Sequence, residues 1–195
     1  MNDPTPPSPP SSSPPISSPP ISSLPSSSPS SPSEAETVAA AFPPQEIGAF
    51  LRFCAGEWMG LRSRFALDAV LTGENGDEWH SSERGELVVA YLEPGDGEDG
   101  PGGLSVGPRG EKPRHLLFAG DGSFRVGADQ RGRWQLWPDG SLELTLGDGN
   151  QTVHERIWFT RPNLRLRSTV EHRADGSPGR ASFSSEIRRV SRPAG

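Results

Sequence analysis

The residues best suited to chemistry lie in one block, His154-Glu155-Arg156-Ile157-Trp158-Phe159-Thr160-Arg161-Pro162-Asn163-Leu164-Arg165-Leu166-Arg167-Ser168-Thr169. The turn Arg161-Pro162-Asn163 divides it into two strands. Side chains alternate along a strand, so Arg165, Arg167, Thr169 and Glu171 share one face. Leu164, Leu166, Ser168 and Val170 share the other. Periodicity alone favours leucines inward and arginines in solvent. The alternative turns the arginines into an enclosed space, where a guanidinium is costly unless paired. Glu155 on the adjacent strand could pair with them, and so could a ligand with two carboxylates, since the guanidinium fork fits a carboxylate bidentately. The space would then suit an acidic, largely apolar molecule. Glu155 and Trp158 are three apart on one strand and face opposite ways. With Glu155 inward, Trp158 is a packing residue.

Other chemistries are not supported. His80, His115, His154 and His172 lack metal-ligand spacing, and no metal site is expected. The single cysteine, Cys54, excludes an internal disulfide and a cysteine-based zinc cluster. It lies on the apolar side of a helical run and reads as core. No Ser-His-Asp or Cys-His order can be assembled. The glycines of 93–112 stand in neither a GxxxxGK[ST] nor a strand–GxGxxG–helix context, and the acidic residues of 93–99 read as a solvated loop. A net charge of -6 and a pI near 5.3 argue against a general nucleic-acid binder. Of 19 basic residues only Lys112 is a lysine. No run of 18 apolar residues offers a membrane span. The first basic residue is Arg52, so residues 1–51 fit neither a secretory nor a transit peptide, and a cytoplasmic location is expected.

These residues need a scaffold. Residues 1–33 hold 12 prolines and 14 serines, too few apolar groups to pack, and 1–42 read as a disordered Pro/Ser-rich tail. Residues 43–195 read as one domain. Pro44 can open a helix, Ile47, Phe50, Leu51 and Cys54 follow at helical spacing, and Gly56 closes it. Strand runs are expected at 57–71, 78–92, 103–107, 113–119, 123–127, 132–137, 141–147, 152–160, 163–173 and 180–191, separated by glycine-rich turns. The stretch 93–112 around the third run is expected to be a long mobile loop over a barrel mouth. Trp137-Pro138-Asp139-Gly140-Ser141 and Arg173-Ala174-Asp175-Gly176-Ser177 mark tight hairpins. Many antiparallel strands with short connections after one helix predict an all-β meander, closed into a barrel or sandwich.

Gly56-Glu57-Trp58 before the first strand resembles the Gly-x-Trp of lipocalin-like (calycin) barrels. That resemblance implies a tryptophan closing the barrel floor under an arginine of the last strand, here Arg188 or Arg189. The strings ERIWFTRPNLRLRST and ASFSSEIRR, with FLRFCAGEWMGLRS at 50–63, resemble the CpcS/CpeS family of phycobiliprotein chromophore lyases. The resemblance covers about 43–195 and is faint from 72 to 130. It implies a lipocalin-like antiparallel barrel, found in cyanobacteria near phycobilisomes, that binds an open-chain tetrapyrrole (a bilin) and attaches it to a cysteine of an apo-phycobiliprotein subunit. The bilin, phycocyanobilin or phycoerythrobilin, is substrate, with no permanent cofactor. Arg165 and Arg167 match arginines that contact the propionates. Glu155 matches a catalytic glutamate acting on the pyrrole nitrogens. Arg62 and Thr169 match further bilin-binding positions. Departures are the absence of a histidine in Ser63-Arg64-Phe65-Ala66 and of any tryptophan between Trp79 and Trp134. They favour the alternative of a non-catalytic bilin chaperone or a partner subunit of a heteromeric lyase, so a second lyase subunit or a second copy of the chain joins the expected partners.

Overall fold

A computed structural model describes residues 42–67, 79–95 and 100–190. The tail read at 1–42 lies outside the described residues except for Phe42. Helix α1 (Ile47–Cys54) precedes ten strands: β1 (Gly56–Ala66), β2 (His80–Leu92), β3 (Gly102–Pro108), β4 (Arg114–Phe118), β5 (Ser123–Val126), β6 (Gln130–Leu136), β7 (Leu142–Gly147), β8 (Gln151–Arg161), β9 (Leu164–Arg173) and β10 (Pro178–Arg188). Each pairs antiparallel with its neighbour in sequence, and β10 closes on β1. The result is an up-and-down closed barrel, which leaves no open sheet edge.

Turn chemistry explains the strand ends. Asp139-Gly140-Ser141 and Asp175-Gly176-Ser177 repeat one device. The aspartate Oδ1 accepts the serine backbone N–H at 2.9 Å and its hydroxyl at 2.6 Å, and the glycine takes a positive φ. Asp121-Gly122-Ser123 does the same between β4 and β5. The loop expected over 93–112 is corrected at its centre. Gly102–Pro108 is a strand bonded on both sides, with Gly102, Gly103 and Leu104 buried. A Cβ on Gly103 would stand 2.6 Å from the Leu116 carbonyl oxygen. The glycines there serve close strand approach, not mobility.

Apolar residues of α1 cover the barrel end where β1 begins and β8 finishes. Phe50, Leu51 and Cys54 are fully buried, and Phe50 and Phe53 meet Phe159 edge-on at 5.4 and 4.7 Å. Burial of a side chain such as Phe50 or Leu51 is worth about 1.5–3 kcal/mol. Trp58 Nε1 donates to the Cys54 carbonyl at 3.0 Å and ties helix to floor. The other end, where β1 finishes and β10 begins, has no such cover among the described residues.

Gly56 joins helix and floor with φ +142°, and a Cβ there would stand 2.7 Å from Arg188 Nη1. Gly149 has φ +90° with open space around it. Gly56→Ala is therefore expected to lose at least about 1 kcal/mol more than Gly149→Ala, because it adds a clash to the same kind of backbone strain. Urea unfolding of the two variants checks this; equal losses would contradict the placement of Arg188 against the helix end.

Candidate functional site

Alternation along β9 puts Arg165 and Arg167 inside the barrel. Arg165 is 1% exposed and the Arg167 side chain 23%. The arrangement favoured by periodicity alone, leucines inward, is reversed. The reason lies on β10, whose inward residues Ser182, Ser184 and Glu186 are all buried. The register sets Glu186 opposite Arg165 and Ser184 opposite Arg167. Arg165 Nε donates to Glu186 Oε2 at 2.6 Å, and its Nη2 lies 2.5 Å from the same oxygen. Arg167 Nη1 lies 2.9 Å from Glu155 Oε1 and its Nε 3.5 Å from Glu186 Oε1. Two guanidinium groups and two carboxylates thus alternate as Arg165–Glu186–Arg167–Glu155. Burial works against the charge of Arg167, but Glu155 and Glu186 outweigh it and raise its pKa above the ordinary arginine value.

Trp58 forms the base of this cluster. The guanidinium carbons of Arg165 and Arg188 each lie 4.3 Å from the indole centroid. Arg188 also donates to the carbonyl of Phe53 at 2.6 Å and to that of Ala55, satisfying the end of α1. Burial, then the charge of Arg165, pulls the Arg188 pKa below the ordinary arginine value. Arg189 instead faces Glu86 on the outside, at 3.3 Å. Cys54 lies in the same interior. Burial pushes its thiol pKa up, and Arg165 only partly offsets this.

Two cavities follow one another along the barrel. The inner one, about 50 Å³, is walled by Glu155, Arg165, Arg167 and Cys54 with Leu104 and Ile157. The outer one, about 370 Å³, lies at the open end and includes Arg62, Thr169, Val153 and Ser182 in its wall. Thr169 is the register partner of Glu155, so neighbouring residues of β8 and β9 wall the two cavities. Arg62 Nη2 donates to Ser182 Oγ at 3.1 Å. Burial, then the charges of Arg64 and Arg167, lowers the Arg62 pKa. The five residues singled out from sequence therefore divide: Glu155, Arg165 and Arg167 inside, Arg62 and Thr169 at the mouth. Trp158 lies on the outer face, 6.2 Å from Phe183. Glu186 went unnoticed in the sequence. Its signal was the Ser182-x-Ser184-x-Glu186 alternation, which places one carboxylate on the inward face of a strand next to two arginines. No group of three or more His, Cys, Asp or Glu side chains among the described residues could hold a metal.

A closed antiparallel barrel, covered by a helix at one end and lined by charge at the other, is a lipocalin-like barrel. The CpeS-like protein family model matches residues 123–189. Chromophore lyase CpcS/CpeS 1 of Paulinella chromatophora is 43% identical over 156 residues, covering 80% of this chain and 95% of that protein. Chromophore lyase CpcS/CpeS 1 of Synechocystis sp. is 31% identical over 136 residues, 69% of this chain and 64% of that one. The solved S-type phycobiliprotein lyase CPES of Guillardia theta shares the fold, with a TM-score of 0.57 and 20% identity over 73% of this chain and 92% of that one. The chain belongs to the CpcS/CpeS chromophore lyase family.

Two outcomes test the geometry. Glu186→Gln leaves the Arg165 charge buried without its anion and is expected to cost about 3–5 kcal/mol in urea unfolding. A loss under about 1 kcal/mol, the range of an exposed pair, would contradict the buried pairing. Cys54 is expected to resist a thiol reagent at neutral pH in the native protein and to react once urea unfolds it; equal rates in both states would contradict its burial.

Proposed function

We propose that this chain is a bilin lyase, which binds an open-chain tetrapyrrole and joins it through a thioether to a cysteine of a phycobiliprotein subunit. Support comes from family membership, and the observation that carries the reading is the Arg167–Glu155 pair between the inner cavity and the mouth. A bilin has a broad apolar face and two propionates. Arginines with apolar walls suit that combination, and a mouth of about 370 Å³ falls within the size of small-molecule sites. The partner's thiol adds across the ethylidene double bond of the bilin A ring, with sulfur taking the exocyclic carbon and the thiol proton balancing the addition. No oxidant is needed. In this reading Glu155 is the carboxylate that polarises the pyrrole nitrogens, while Arg165, Arg167, Arg62 and Thr169 hold the substrate. Holding the bilin against the acceptor thiol supplies the rest by proximity.

The catalytic unit in this reading is 43–195, with 1–42 as an accessory tail and the protein working in the cytoplasm. No helix among the described residues is long and apolar enough to cross a membrane. A second reading, a bilin chaperone or partner subunit without activity of its own, is favoured by the inner cavity of only about 50 Å³.

The experiment is absorbance titration of the full chain with phycocyanobilin and with phycoerythrobilin, followed by transfer to an apo-phycobiliprotein subunit. Saturable binding with a red shift is expected. Arg167→Ala is expected to weaken it about tenfold or more, the range of one charge-assisted hydrogen bond. Glu155→Gln should bind but transfer about 100-fold more slowly, as befits the loss of a carboxylate acting on the pyrrole nitrogens. Transfer only on mixing with a second family member would select the partner-subunit reading. Absence of any absorbance change, alone or mixed, would overturn the bilin reading itself.

A further inference from the structure

The arginines of this barrel differ in what they already hold. Arg165 and Arg167 are committed to Glu186 and Glu155, and Arg64 to Glu83 at 2.6 Å. Two mouth arginines have no carboxylate partner among the described residues. Arg62 bonds only the Ser182 hydroxyl, and Arg180 makes no ion pair. The β10 ladder shifts register between Pro178 and Ala181, and such an irregularity re-aims a side chain. Arg180 lines the mouth there, opposite Ala66. Arg62, Arg64 and Arg180 together face the cavity, with Glu171 in its wall and Glu83 paired to Arg64 beside it, three cations to two carboxylates.

An aromatic surface stands beside these cations. Trp79 is 42% exposed, stacks on Phe65 at 5.9 Å with 29° between the rings, and lines the same cavity. His80 lies 5.5 Å away and braces the pair. An indole fixed on one side and bare on the other is suited to the face of a flat apolar ring. The inner cavity, about 50 Å³, is too small for four pyrroles, whereas the mouth is about 370 Å³.

We infer that the mouth cavity binds the outer part of the bilin, with Trp79 against a pyrrole face and Arg180, beside Arg62, on a propionate. This rests on the bilin reading above and adds two binding residues to it. A propionate finds an unclaimed cation at the mouth, where none of the internal ion pairs must be broken. The net positive wall also draws an acid toward the open end.

The test is absorbance titration of the full chain and its variants with phycocyanobilin and with its dimethyl ester. Arg180→Ala is expected to bind the free acid about three- to tenfold more weakly, between the ranges of an exposed and a desolvated charge contact. It should bind the ester as the unmutated chain does. Trp79→Leu is expected to lose about fivefold for both ligands, and Trp79→Phe to keep most of the affinity. Both positions are exposed, and circular dichroism checks that the variants fold. Unchanged affinity in Arg180→Ala and Trp79→Leu, or equal losses of acid and ester in Arg180→Ala, would overturn the inference and leave the bilin reading standing. No binding by the unmutated chain, alone or mixed with a second family member, would remove both.

Discussion

A single buried guanidinium organises this barrel. Arg165 is stripped of water, which costs several kcal/mol, and Glu186 and the Trp58 indole face replace the lost hydration. Those two partners come from β10 and β1, the strands that close the ring. A slip of one residue in either pairing would send Glu186 or Trp58 to the outer face and leave Arg165 alone in the interior. Closure, register and inward charge are therefore aspects of one requirement. Arg188 extends it to α1 by holding the helix carbonyls while lying over the same indole.

From floor to mouth, the charges pass from saturated to available. At the floor every cation has an anion or a carbonyl within reach, and the space left is small. At the mouth arginines outnumber carboxylates and the walls stand apart. Such a gradient lets one barrel be rigid at one end and receptive at the other. The floor cations are paired within the chain itself, whereas Arg62 and Arg180 at the open end have no ion pair among the described residues.

The ten strands were legible because Asp-Gly-Ser and similar turns punctuate the chain and each turn type has its own residue demands. The third run was half obscured. Gly102 and Gly103 carry the same letters as a loop, and only their surroundings show why they are glycine: Gly102 has φ +91° against Leu92 and Tyr91, and Gly103 meets the Leu116 carbonyl. The candidate site was legible as a face but not as a direction. Alternation groups Arg165 with Arg167 and says nothing about which group points inward. The usual preference for buried leucine gives the wrong sign here, because it leaves out a partner on another strand. Glu186 lies 21 residues from Arg165 in sequence, and only the β9–β10 register brings them together. The family resemblance supplied the direction that periodicity lacked.

The join between Arg188 and the Phe53 carbonyl spans 135 residues. During synthesis on the ribosome, α1 and β1 emerge early, with Trp58 exposed and one side of β1 unpaired. They wait for nearly the whole domain before β10 arrives to cover them. Neighbouring strands can pair as they appear, since each hairpin is local, but ring closure is the most distant contact and carries the largest loop entropy. The nascent barrel is for that interval an open, curling sheet with an apolar inner surface and two bare edges, the form in which such a chain is most prone to bind its own kind.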